Sequence, residues 1–131
     1  MSEWDEQVAV VRELTHAGVF FAASLNGVKL SKAAAGRAKA AGMVAGEPDI
    51  RIYDRPPGLL VAHAGMMIEM KTADKKPKTA RAGEFSGAEP HQRERLEGLR
   101  ARGWHCVVAY GARDALAKIA DVGYPVRKWV A

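Results

Sequence analysis

The sequence has a single cysteine and no apolar run long enough to cross a bilayer. With Cys106 as its only thiol, the chain can form neither an intramolecular disulfide nor a cysteine-rich zinc site. Cys106 lies in the apolar segment WHCVVAY, which predicts a buried small side chain rather than a nucleophile. The histidines show no ligand spacing, and the acidic start MSEWDEQVAVV does not resemble a targeting signal. We expect a soluble, cytoplasmic protein.

A glycine-rich phosphate loop is also missing. The segments NGVKLSKAAAG and GRAKAAG are basic and contain glycine. Both lack the strand-to-helix arrangement of a phosphate-binding loop with its Gly-Lys-Ser or Gly-Lys-Thr ending. We therefore expect no nucleotide cofactor. The tryptophans Trp4, Trp104 and Trp129 are scattered, so the sequence does not support an aromatic platform for single-stranded nucleic acid.

Positive charge is concentrated in two segments near the middle of the chain. The net charge is +5, and this excess favours a polyanionic partner such as DNA, although a solvated surface would give the same composition. The first fourteen residues are acidic instead. The candidate nucleic-acid-binding residues are Lys29, Lys32, Arg37 and Lys39 in the first segment, and Lys75, Lys76, Lys78 and Arg81 in the second.

The order of predicted elements indicates one α/β domain spanning 1–131, with a mixed sheet flanked by helices. The first helix has Ser2 as its cap and acidic residues in its first turn. Its apolar stripe is expected to contain Trp4, Val8, Val11 and Thr15. A basic mobile loop is expected at about 72–90. The predicted helices are 3–16, 31–41, 91–103 and 112–123, and the predicted strands are 19–24, 49–54, 66–71 and 104–110.

Two charged residues, Glu69 and Lys71, stand out in the otherwise apolar segment MMIEMK. Burying either charge without a partner is costly, so a functional reason is expected. Strand alternation places both on one face together with Met67. If the strand beginning with DIRIYD pairs with this one in antiparallel fashion through the RPPG turn, Asp49 lies beside them.

Two carboxylates and a lysine at one end of a strand pair form a candidate catalytic group. Carboxylate oxygens suit Mg²⁺ or Mn²⁺, and a bound cation relieves the repulsion between Asp49 and Glu69. Such a metal activates water and stabilises charge on a phosphoryl group, while Lys71 could orient or deprotonate the water or neutralise an oxyanion. An exposed ion pair of Glu69 with Lys71 is the alternative interpretation, and Asp49 on the same face weakens the case for it.

The segments GEPDI and IEMK, separated by a hairpin, resemble the PD-(D/E)xK nuclease signature. The wider pattern resembles the VRR-NUC (virus-type replication-repair nuclease) branch, in its small standalone phage and bacterial form. The resemblance includes SEWDEQVAVV, FAASLNGVKLSKAA, MMIEMKT, PHQRERLEGLRARG and CVVAYG, and it covers nearly the whole chain. It implies a restriction-endonuclease-like α/β fold with a central mixed four-stranded sheet flanked by helices.

The same resemblance implies the roles of individual residues. It makes Asp49 and Glu69 metal ligands together with Met70, and it makes Lys71 catalytic. It also implies that Gln92 supports the site and that an acidic residue of the first helix completes it. Glu3 and Glu6 lie one turn apart and both fit that last role, with a slight preference for Glu3.

The expected function is therefore Mg²⁺- or Mn²⁺-dependent cleavage of DNA. The resemblance implies a branched substrate, such as a four-way junction or a flap, and a role in DNA repair. Symmetric cutting of both strands would favour a homodimer. A nucleic-acid-binding module of the same fold that does not cut is the alternative, and the presence of Asp49, Glu69 and Lys71 argues against it.

Overall fold

A computed structural model describes residues 2–24, 30–79 and 84–127 of the protein. Within these ranges the helices are α1 (Glu3–His16), α2 (Lys32–Ala40), α3 (Pro90–Ala101) and α4 (Gly111–Asp121). The strands are β1 (Phe21–Ala23), β2 (Ile50–Ile52), β3 (Met66–Lys71) and β4 (His105–Tyr110). In the part of the chain described, none of the helices combines the length and apolar character needed to cross a membrane.

The strands form one mixed sheet in the order β1-β2-β3-β4. β2 pairs with β1 and with β3 in antiparallel fashion, and β4 lies parallel to β3. The parallel pair requires a crossover between β3 and β4, and α3 lies in that connection. This arrangement confirms the predicted α/β class, the mixed four-stranded sheet and the antiparallel pairing of β2 with β3.

The two faces of the sheet pack against different helices. α1 and α4 cover one face, where Val10, Leu14 and Leu116 pack against the isoleucines of β2. α3 covers the other face, where Leu96 packs against Met67 and Val108. Cys106 belongs to this second core and is buried, as its apolar segment predicts. The faces alternate along β3 as predicted, so Met67, Glu69 and Lys71 point towards the side of α3.

The predicted apolar stripe of α1 is wrong, although the helix bounds and the Ser2 cap are confirmed. Val10 and Leu14 are fully buried, whereas Trp4 is 53% exposed and Val8 is 42% exposed. Apolar residues occupy much of the helix circumference, so periodicity does not select one stripe. Packing of α1 against α4 and β3 selects it instead.

The segment 72–90 is more structured than the predicted irregular loop. A short 3₁₀ helix at Ala73–Lys75 directly follows β3. Farther along, Phe85 is buried in the core beneath α3, and the Arg100 guanidinium lies 4.9 Å from the centre of its ring. The connection from β3 to α3 is therefore structured both before and after residues 80–83. Those four residues lie outside the described ranges.

Candidate active site

The pairing of β2 with β3 places Asp49 and Glu69 opposite one another. The antiparallel ladder ends at the pair of Ile50 with Ile68, and continuing its register by one residue puts Asp49, which directly precedes β2, opposite Glu69. Both carboxyl groups are buried, at 8% and 3% exposure. Asp49 is fixed at the start of β2 because its Oδ2 accepts a hydrogen bond from the Met70 backbone N–H at 2.7 Å.

The proximity of these two carboxyl groups makes them difficult to ionise together. Burial raises the pKa of Glu69 to about 9, and the negative charge of Asp49 contributes to the same shift. Burial also raises the pKa of Asp49, although the hydrogen bond from Met70 opposes this effect. Because a positive charge favours the ionised form of a neighbouring carboxyl group, a cation between them would offset both shifts.

Lys71 is the third buried charged residue of the group, at 6% exposure. Its Nζ donates a hydrogen bond to Gln92 Oε1 at 2.9 Å. The same oxygen accepts the Glu89 backbone N–H at 2.8 Å, so the side chain of Gln92 also satisfies the first turn of α3. α3 therefore holds the lysine at the end of β3 through a single amide.

The structure separates the two candidate glutamates of α1. Glu3 lines the cleft that contains Asp49 and Glu69, and burial raises its pKa, with a further contribution from the charge of Asp49. Glu6 instead accepts a hydrogen bond from the backbone N–H of Ala112, in the first turn of α4. Glu3 thus lies at the carboxylate pair, whereas Glu6 caps another helix.

A cleft of about 470 Å³ opens above the carboxylates. Its polar lining includes Glu3, Asp49, Glu69, Gln92 and Lys39, and its apolar lining includes Leu30, Met43 and Val44. These apolar residues were not identified from the sequence. They carry no motif, and only the return of the chain from α2 to β2 brings them into the same cleft as the carboxylates.

The donor set fits a hard divalent cation. Within the described ranges, no three His, Cys, Asp or Glu side chains are arranged to hold a metal by themselves. Mg²⁺, however, commonly binds through one or two carboxylates and takes its other ligands from water and substrate phosphate. Glu69 Oε2 is buried and has no hydrogen-bond partner in the described part of the chain, which leaves it available as a ligand. Met70 contributes its backbone to this region because its side chain is fully buried in the core.

Most of the predicted nucleic-acid-binding residues are exposed, and two of them lie near the carboxylates. Lys39 lines the cleft, and Lys75 is close enough to Glu3 that its charge counteracts the raised pKa of that carboxyl group. Lys29 and Arg81 lie outside the described residues. The remaining members of the set, Lys32, Arg37, Lys76 and Lys78, are exposed on α2 and on the connection after β3.

The fold is similar to that of a solved structure described as a VRR_NUC domain protein. The match covers 94% of this chain and 88% of the other, with a TM-score of 0.66 and 23% sequence identity. No protein-family model and no curated protein matches the sequence. The chain therefore has the VRR-NUC type of α/β fold, as the sequence resemblance implies.

Proposed function

We propose that this protein is a metal-dependent nuclease of the VRR-NUC type that hydrolyses phosphodiester bonds in DNA. The observation that carries the proposal is the position of Asp49 directly opposite Glu69, with Lys71 on the same face of β3. Ionising two neighbouring buried carboxyl groups together is unfavourable unless a cation lies near them. The similarity of fold to a VRR_NUC domain protein supports the same reaction class.

Each residue of the group has a distinct part in this proposal. Asp49 and Glu69 hold Mg²⁺ or Mn²⁺, which when bound lowers the pKa of water and stabilises negative charge on phosphoryl oxygens. The Met70 backbone fixes Asp49 through the hydrogen bond from its N–H, and a ligand role for Met70 stays a prediction. Lys71 places its Nζ near the scissile phosphate, and Gln92 keeps that Nζ in position. Glu3 adds a third acidic side chain at the rim of the cleft.

DNA is the proposed substrate because two exposed lysines lie at or near the acidic cleft. Lys39 lies on the wall of the cleft and Lys75 lies near Glu3, so a phosphate backbone could contact both while one phosphate faces the carboxylates. A branched DNA, such as a four-way junction or a flap, is the proposed form. Paired incisions in such a substrate require two active sites, and we therefore propose a homodimer.

The test is cleavage of branched DNA with and without Mn²⁺, using Asp49→Asn and Glu69→Gln. Both variants should lose divalent-dependent cleavage, because each loses one charged ligand. The asparagine amide keeps an oxygen that can accept the Met70 N–H, so the first variant should fold normally. An exposed glutamate of α3 provides a control, and Glu94→Gln should cut like the wild type. Near-wild-type cutting by Asp49→Asn or Glu69→Gln would refute the assignment.

A further inference from the structure

Part of the lining of the cleft is apolar and open to solvent. Leu30, Met43, Val44 and Ala35 form this part, and we call these four residues the apolar ledge. The three larger side chains are 43%, 38% and 40% exposed, respectively. Aliphatic side chains offer neither charge nor hydrogen bonds to a phosphate or a cation. The ledge is therefore suited to an apolar part of the substrate.

Backbone structure holds the ledge in place at both ends of α2. Ser31 caps this helix, which puts Leu30 and Ala35 at the two positions of a hydrophobic staple. At the other end, the Met43 N–H donates to Ala38 O and the Gly42 N–H donates to Lys39 O, which is the Schellman arrangement. The direction in which Met43 leaves the helix is therefore fixed.

The remainder of the ledge is packed against the start of α3. Gly46 has φ of +84°, and a Cβ at this position would lie 2.6 Å from the backbone oxygen of His91. Only glycine permits this close approach, which restricts the position of Val44, two residues earlier in the chain. Glu47 strengthens the contact because its Oε1 lies 3.0 Å from Arg95 Nε on α3. The ledge is thus a built surface that lines the same cleft as the carboxylates.

We propose that the apolar ledge binds the base of an unpaired nucleotide next to the phosphate held at Asp49 and Glu69. This inference rests on the proposed function and specifies its substrate. In a duplex, the faces of the bases are stacked against their neighbours and cannot reach an aliphatic surface. An unpaired base exposes an apolar face, and the thioether of Met43 makes favourable contacts with aromatic rings. The cleft therefore selects scissile phosphates that adjoin an unpaired nucleotide.

The test compares binding of two DNAs in Ca²⁺, which substitutes for the catalytic metal so that affinity is measured without cutting. One is a flapped duplex with 2-aminopurine as its first unpaired nucleotide, and the other is the same strand fully paired. Met43→Gln with Val44→Thr should weaken binding of the flapped DNA about three- to ten-fold, with a smaller fluorescence change, and leave binding of paired DNA unchanged. The matched control, Leu60→Gln with Val61→Thr, alters two exposed residues of the β2–β3 hairpin and should bind both DNAs like the wild type.

An abasic nucleotide at the same position provides a second readout. It should weaken binding of the flapped DNA by the wild type, but should cause no further loss in the Met43→Gln, Val44→Thr protein. Equal losses for paired and flapped DNA, or no loss for either, would overturn the proposal for the ledge. Failure of the wild type to cut in Mn²⁺ would overturn the proposed function separately, because the binding assay does not depend on cleavage.

Discussion

Lys71 Nζ and Gln92 Oε1 are joined by a hydrogen bond of 2.9 Å that links the end of β3 to the first turn of α3. Gln92→Ala removes this bond together with the contact to the Glu89 N–H. We expect the single-turnover cleavage rate to fall at least about ten-fold, because a mobile Nζ no longer faces the phosphate. The free energy of unfolding should fall by about 1 kcal/mol through loss of the helix cap.

Gln92→Glu distinguishes positioning of Lys71 from simple loss of stability. Its carboxylate keeps an acceptor for both donors, so this variant should cut faster than Gln92→Ala under the same single-turnover conditions. Equal rates for the two variants, measured well below their melting temperatures, would contradict a positioning role for Gln92.

The two glutamates of α1 should respond differently to neutralisation. Glu3→Gln should reduce cleavage, because Glu3 lines the cleft beside Asp49. Glu6→Gln should leave cleavage nearly intact, since the amide oxygen can still accept the Ala112 N–H of α4. Cleavage and thermal unfolding of both variants check this expectation. Full activity in both would show that α1 contributes no catalytic acid.

The stability of the metal-free protein should depend on the ionisation of Glu69. Folding raises its pKa from 4.5 to about 9, so the folded state retains a proton that the unfolded state has already released. The free energy of unfolding should therefore decrease as the pH rises through that window. Glu69→Gln should reduce this decrease, and so should saturating Mg²⁺, in urea titrations at several pH values. An identical pH dependence in the wild type and the variant would argue against a strongly shifted carboxyl group.

The lysines after β3 should act by binding phosphates. Removing one lysine–phosphate interaction with duplex DNA reduces the magnitude of the negative slope of log K against log salt by about 0.9. Replacing Lys75, Lys76 and Lys78 with Gln should therefore reduce this magnitude by roughly 2 to 3 if all three bind. Cleavage at saturating protein should change much less, because these residues bind the ground state and the transition state alike. Arg55→Gln, at the opposite end of the strand pair, should leave the slope unchanged. An unchanged slope in the triple variant would identify a solvated surface.

The oligomeric state can be checked independently of cleavage. Each chain contains one group of Asp49, Glu69 and Lys71, so symmetric incision of both strands needs two chains related by a two-fold axis. Light scattering at micromolar concentration should give the mass of a dimer. A strict monomer that still makes paired cuts would contradict this proposal.

The sequence by itself determined the local structure, and it predicted the residues of the candidate site. Ser2 and the acids of the first turn specify the start of α1, and the alternation of MMIEMK specifies which face of β3 carries Glu69 and Lys71. These properties depend on neighbouring residues, so periodicity and capping are sufficient to read them. The resemblance to VRR-NUC proteins also implied the fold that the structural comparison supports.

Only the tertiary structure decided which residues meet from distant parts of the chain. Glu3 and Glu6 are equivalent in a helical pattern, and packing of α1 beside α4 sends one to the cleft and the other to Ala112. The buried stripe of α1 depends on the same packing. The apolar ledge has no local signal, because the packing of distant elements decides which side chains these exposed aliphatic residues lie near. Such relationships depend on how the elements pack, and no local pattern encodes them.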